Sequence, residues 1–205
     1  MNQKDHWEQV YSAKPPDKLG WYEPHLTISV TWLQSLGLPA DVPIIDVGSG
    51  TSTFVDDLLA AGYQFITVLD ISEQALSANK TRLGNKADNI TWLQGDITSI
   101  DLPSHYYALW HDRAVFHFLT TRDQQENYRN NLLKALKPGG HLIIGTFSLE
   151  APPTCSGLPV QRYSPDQLEF FLGTDFEINR AHKEMHITPG GVEQMYLYCL
   201  FRRKL

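Results

Sequence analysis

The chain is 205 residues long, 42% apolar and 20% charged, with a formal net charge of −6 at pH 7. This length and composition suit one folded α/β domain with a substantial core, and exclude a disordered chain. The negative balance argues against a general nucleic-acid binder, which needs a Lys/Arg surface to meet phosphates.

Lys4 to Ser12 reads as a short helix with Trp7 and Tyr11 on one face, and Pro15-Pro16 breaks it. Gly20-Trp21-Tyr22-Glu23-Pro24 leads into a second helix that ends near Leu36, before Gly37 and Pro39. An alternating pattern follows. Pro43 to Val47 is a buried-strand run, then come a glycine turn and a helix over Thr53 to Ala61. Phe65 to Asp70 is a second strand, and Ser72-Glu73 opens the next helix. Ile90 to Leu93 and Tyr106 to Trp110 are the third and fourth strands. A helix over Thr121 to Leu136 stops at the turn Lys137-Pro138-Gly139-Gly140, and His141 to Phe147 is the fifth strand. Strands separated by helices of this length predict right-handed βαβ units and a doubly wound parallel sheet. Beyond a Pro-rich loop, Ala151 to Pro159, the sequence predicts a helix near Pro165 to Leu172 and two strands, Phe176 to His182 and Gln194 to Phe201. Thr188-Pro189-Gly190-Gly191 joins the two as an antiparallel pair.

The sharpest local motif is Asp46-Val47-Gly48-Ser49-Gly50-Thr51-Ser52 at the end of the first strand. Gly48 and Gly50 permit a tight turn and close approach of a ligand to the backbone, and the following helix start favours anionic groups. Asp70, ending the second strand, is placed to accept hydrogen bonds from both hydroxyls of a ribose. Asp96, just past the third strand, can bind an adenine amino group with Ile97 against the ring; an ordinary Asx turn explains it equally well. The three features sit at the C-terminal edge of a parallel sheet, where such sheets bind ligands.

These residues resemble the class I, seven-stranded family of S-adenosylmethionine-dependent methyltransferases. The family's acid-x-Gly-x-Gly-x motif matches Asp46 to Thr51, with Ser52 in place of the glycine that commonly completes it. Its acidic ribose position matches Asp70, its Gly-Asp matches Gly95-Asp96, and its Pro-Gly-Gly turn matches Pro138-Gly139-Gly140. The resemblance implies a mostly parallel sheet of seven strands with the last antiparallel, under an N-terminal helical cap. It implies S-adenosylmethionine as cofactor, held by Tyr22, Asp46, Gly48, Ser49, Gly50, Asp70, Ile71, Asp96, Ile97 and His111. One domain is expected: a cap over 1–38, a cofactor-binding core over 39–147, and a lid loop with a C-terminal hairpin over 148–205. A nicotinamide enzyme would want G-x-G-x-x-G, where Thr53 stands, and gives no account of Asp96 or the Pro-Gly-Gly turn.

Methyl transfer needs an aligned nucleophile that has lost its proton, and excluded water. After the fourth strand, His111, Asp112 and Arg113 are the catalytic candidates: His111 or Asp112 as base or orienter, Arg113 as an anion grip. Ion pairs that merely cap the following turn are the competing reading of Asp112 and Arg113. His117 reads as a packed helical histidine, and no metal site is expected. In the loop after the fifth strand, Cys155, Arg162 and Tyr163 are weaker acceptor contacts, and Trp7, Tyr11, Trp21 and Tyr22 can close over the cofactor.

The sequence therefore predicts methyl transfer to a small molecule, with no nucleic-acid or membrane partner. A protein-lysine methyltransferase and a non-catalytic cofactor-binding protein are the alternatives. With two cysteines, Cys155 and Cys199, no apolar N-terminal leader and no bilayer-length apolar run, the expected location is the cytoplasm.

Overall fold

The short apolar runs become β1 (Pro43–Val47), β2 (Phe65–Asp70), β3 (Ile90–Gln94), β4 (Tyr107–Arg113) and β5 (Leu136–Phe147) in the computed structural model, which describes residues 2–205. Together with β8 (Phe176–Ile187) and β9 (Glu193–Arg203) they make a seven-stranded sheet in the order β3-β2-β1-β4-β5-β9-β8. β9 runs antiparallel to both of its neighbours, and the other six strands run one way. The strand order reverses between β1 and β4, which opens a crevice at their C-terminal ends.

Helices cover both faces, so neighbouring strand residues bury into opposite cores. Ile44, Val68, Leu109 and Ile143 pack with Leu33, Phe54, Leu58 and Leu76, from α2 (Thr27–Ser35), α3 (Phe54–Ala60) and α4 (Glu73–Leu83). Ile45, Leu69, Trp110 and Ile144 pack on the other side with Tyr128, Leu132 and Leu168, from α5 (Arg122–Ala135) and α6 (Pro165–Leu172). Capping boxes at Thr121/Gln124 and Ser164/Gln167 fix where α5 and α6 begin.

Beyond shifts of one to three residues at element ends, among them β4 running on to Arg113 so that His111, Asp112 and Arg113 lie in the strand rather than after it, three details differ from the sequence reading. Pro138-Gly139-Gly140 is not a turn ahead of the fifth strand but a bulge inside it. Tyr107 pairs with Leu136 and Leu109 with His141, so β5 spends extra residues against β4. A Cβ on Gly140 would sit 2.9 Å from the Lys137 carbonyl, which leaves room only for glycine. Second, β8 runs on to Ile187 rather than stopping at His182. Third, the Pro-rich loop contains a miniature hairpin, β6 (Thr154–Cys155) with β7 (Leu158–Pro159). Its turn residues Ser156 and Gly157 both have positive φ, 52° and 78°, as a two-residue hairpin demands.

The cap begins with α1 (Gln3–Ala13), which lies on α4. Glu8 of α1 accepts from the Ser72 hydroxyl at 2.7 Å and from the Glu73 and Gln74 N–H groups at 2.8 and 3.0 Å. A carboxylate of one helix thus satisfies donors at the start of another. Among the described residues no helix is long and apolar enough to cross a membrane, and no cluster of side chains suits a metal ion.

Candidate active site

A cavity opens at the C-terminal ends of β1, β2 and β4. About 110 Å³ of it admits the centre of a water-sized sphere, and the whole space between its lining atoms, open solvent at the mouth included, is about 1120 Å³. At one end are Asp46, Gly48, Ser49, Asp70, Asp96 and Ile97; at the other, Trp21, Glu23, Arg113, Phe118, Cys155 and Tyr196. Trp7 and Tyr11 of α1, with Tyr22, roof it.

The glycine turn is built for close approach. Gly48 and Gly50 have φ of 61° and 53°, and a Cβ on Gly48 would lie 1.8 Å from a Val115 methyl carbon. A Cβ on Gly50 would lie 2.3 Å from the Tyr11 hydroxyl. Asp70 holds the turn in place: its carboxylate accepts from the Gly50 N–H at 2.7 Å and the Ser72 N–H at 2.8 Å. Each oxygen keeps a lone pair for a ligand hydroxyl. Burial pushes the Asp70 carboxyl up to about 6, against the pull of those two hydrogen bonds. Asp96 makes both of its bonds, to the Thr98 N–H and hydroxyl, through Oδ1; this is the Asx turn, formed at the cavity wall.

Asp46 and His111 face each other across β1 and β4. His111 Nδ1 is 2.7 Å from Asp46 Oδ1, and its Nε2 is 2.9 Å from the Ser29 hydroxyl of α2. A carboxylate can only accept, so the ring proton belongs on Nδ1, and Nε2 accepts from Ser29. All three side chains are buried. Asp46 Oδ2 is buried as well and has no partner. A carboxylate oxygen left unpaired on the cavity wall fits the ammonium group of S-adenosylmethionine, and the glycine turn with Asp70 fits its nucleoside.

Strand alternation separates the three expected catalytic residues. His111 and Arg113 line the cavity; Asp112, between them, does not. Asp112 instead accepts from the Val115 N–H at 2.9 Å and the Tyr128 hydroxyl at 2.7 Å. It therefore caps the turn after β4, and burial raises its carboxyl to about 6. Arg113 donates from Nε to the Tyr198 hydroxyl at 2.8 Å, from Nη1 to the Trp21 carbonyl at 2.9 Å, and from Nη2 to Glu23. Its guanidinium lies 4.6 Å from the centre of the Tyr196 ring. Burial alone would raise the Glu23 carboxyl, but the His186 hydrogen bond and the Arg113 charge hold it below its ordinary value.

His117 is buried, as expected of a packed residue: Nδ1 accepts from the Phe147 N–H at 3.1 Å. Arg162 braces the lid loop through the Leu149 and Ala151 carbonyls at 3.1 and 3.0 Å, and Tyr163 stacks on Phe116. Neither lines the cavity, whereas Cys155 does. Tyr22 and Ile71 also lie on the cavity wall. The sequence reading did not single out Ser29, Tyr196 or Tyr198; each sits at an ordinary-looking position in a helix or strand, and only the sheet order brings it to the site.

Residues 44–140 match the family model described as a methyltransferase domain. Over 125 residues the chain is 24% identical to the eEF1A lysine and N-terminal methyltransferase of Mus musculus, an alignment covering 61% of this chain and 18% of that protein. The chain spans about a fifth of the length of the first curated relatives it matches. A solved structure described as converting a disulfide bond into a thioacetal group during echinomycin biosynthesis superposes with a TM-score of 0.77, at 18% identity over 99% of this chain and 93% of the other. Another is the 1,6-didemethyltoxoflavin-N1-methyltransferase of Burkholderia thailandensis with bound 1,6-didemethyltoxoflavin and S-adenosylhomocysteine. It superposes with a TM-score of 0.69, at 17% identity over 88% of this chain and 78% of the other. At such identities the structural likeness is one of fold.

Proposed function

On the premise that this chain carries a class I methyltransferase domain whose cofactor is S-adenosylmethionine, we propose that it transfers the methyl group to a small-molecule acceptor and releases S-adenosylhomocysteine. The observation that carries this reading is enclosure: α1, the Trp21–Glu23 segment and the Cys155 hairpin wall the far end of the cavity with aromatic and apolar side chains. Such a chamber suits a compact acceptor and excludes water from the reacting atoms.

When bound, the cofactor supplies an electrophilic methyl group on a sulfonium. The chain's own residues bind and orient it. Asp70 takes the ribose, Asp96 and Ile97 take the adenine, and the free oxygen of Asp46 takes the ammonium. Gly48, Ser49 and Gly50 admit it by close approach, with Tyr22 and Ile71 as further wall. His111 holds Asp46 in place from the neighbouring strand, and Arg113 shapes the acceptor end. Asp112 acts through the turn it caps. Two buried free thiols, Cys155 and Cys199, suit a reducing cytoplasm.

The relative named as a lysine and N-terminal methyltransferase favours a second reading, in which the acceptor is a protein. The test is to incubate the purified protein and labelled S-adenosylmethionine with a fractionated cell extract. Label in the low-molecular-mass fraction supports the proposal, and label in protein bands supports the second reading. Tight cofactor binding with no labelled product in either fraction would favour a non-catalytic binding protein.

A further inference from the structure

The acceptor end of the cavity, given the methyl-transfer reading above, restricts which nucleophile it can use. Its walls are aromatic: Trp7 packs edge-on against Trp21 and Phe118, with ring centroids 5.7 and 5.0 Å apart. Tyr196, from β9, completes the wall. That tyrosine is fully buried, and its hydroxyl has no partner. An unpaired buried donor is costly, and a ligand atom that accepts from it removes the cost. Arg113 has five N–H donors and gives one each to Tyr198, Trp21 and Glu23, which leaves donors on Nη1 and Nη2.

The titratable groups described on the walls of this end are poor proton acceptors. Glu23 is engaged at Oε1 by Arg113 and by His186 Nδ1 at 3.2 Å, contacts that hold its carboxyl below its ordinary value and make its free oxygen a weak base, and His186 Nε2 donates to the Gly20 carbonyl at 2.7 Å. Burial holds both the Cys155 thiol and the Tyr196 phenol in their protonated forms. Both nitrogens of His111 are taken, by Asp46 and Ser29. Asp46, Asp70 and Asp96 lie at the glycine-turn end, where the cofactor belongs.

An alcohol does not ionise appreciably in neutral solution, and an amine, although it too can lose its proton to solvent before entry, becomes a cation again as it is methylated, beside the Arg113 charge. A thiol ionises in solution to an extent set by its own acidity, and the thiolate attacks directly. We infer that the acceptor is a small aromatic or aliphatic thiol that enters as its thiolate, its sulfur meeting the Tyr196 hydroxyl and the unused N–H edge of Arg113. The thiol proton goes to solvent before entry. A sulfur lone pair then forms the new S–CH3 bond while the methyl–sulfonium bond breaks, its electron pair returning to the donor sulfur. Two neutral thioethers result, and no protein group changes protonation.

The test offers thiophenol, phenol and benzylamine separately at neutral pH with S-adenosylmethionine, detects methylated product by mass spectrometry, and measures S-adenosylhomocysteine binding by calorimetry. Methyl phenyl sulfide is the expected product, with little or no methylated phenol or amine. Tyr196→Phe is expected to lower kcat/KM for thiophenol by about tenfold or more and to leave S-adenosylhomocysteine affinity unchanged. The pH at which the rate rises should move upward when benzyl mercaptan replaces the more acidic thiophenol. A limb fixed at one pH for both thiols would mean a protein base and overturn the inference. So would better turnover of phenol or benzylamine, or a protein that binds S-adenosylhomocysteine yet methylates no thiol. Failure to bind S-adenosylhomocysteine at all would instead sink the methyltransferase reading.

Discussion

The Tyr11 hydroxyl stands where a Cβ on Gly50 would be, 2.3 Å from that position. A residue of the cap is thus fitted to the one conformation that the glycine turn adopts, with Gly50 at a φ of 53°. Gly50→Ala should cost stability on two counts, about 1 kcal/mol for the left-handed backbone and more for the collision. The closest atom is the hydroxyl, so Tyr11→Phe should restore part of the loss in the double variant. Chemical denaturation of the three variants checks this; strict additivity would mean that the two residues do not meet.

Glu8 fastens α1 to the start of α4 through three hydrogen bonds. Glu8→Ala should loosen the roof and raise the Kd for S-adenosylmethionine about fivefold, since a helix-capping interaction is worth about 1 kcal/mol. Most of the change should appear as faster dissociation in stopped-flow measurements. An unchanged off-rate would show that the ligand escapes by another route.

Asp70→Ala removes the ribose acceptor and also strands the Gly50 and Ser72 N–H groups. We expect a loss of roughly 2–3 kcal/mol in cofactor affinity, read by calorimetry, and a lower Tm for the ligand-free protein. Wild-type affinity in the variant would remove Asp70 from the site.

Asp112→Asn keeps the shape of the cap after β4 but leaves the Tyr128 hydroxyl without its acceptor. Stability should fall by about 1–3 kcal/mol, with cofactor affinity and kcat/KM within about twofold of wild type. A large drop in turnover at unchanged stability would return Asp112 to the chemistry.

Burial, and then the charge of Arg113, depress His117 from 6.5 to about 3. The folded state therefore excludes a proton that the unfolded chain accepts below 6.5. The stability this group contributes is complete above that pH and is lost as pH falls toward 3, by at most about 1.4 kcal/mol per pH unit. Asp70 and Asp112 act oppositely between 3.8 and about 6, because their folded forms hold protons more tightly. The clean measurement is the difference between wild type and His117→Asn, whose stability curves should converge as pH is lowered from 6.5. Parallel curves would mean that His117 is not buried as a neutral ring.

The sheet was legible because its signals are local. Apolar runs such as Pro43–Val47 end in glycine or acid at the strand tips, and these are also the proposed cofactor contacts. The acceptor end was not legible, because it is assembled from distant segments. Glu23, Arg113, His186 and Tyr196 meet only because β9 inserts between β5 and β8. Tyr196 and Tyr198 read as ordinary strand aromatics until register places one at the cavity and the other on Arg113. Asp112 was misplaced for a related reason. Three consecutive polar residues look like a cluster in sequence, but a strand sends the middle one to the opposite face.

The hydrogen bond from His186 to the Gly20 carbonyl joins residues 166 positions apart. Closing so long a loop is slow relative to forming helices or adjacent strand pairs. The chamber should therefore be among the last parts of the molecule to assemble. In a refolding experiment, secondary structure should return before the capacity to bind ligand does. A newly made chain would acquire its fold first and its selectivity afterwards.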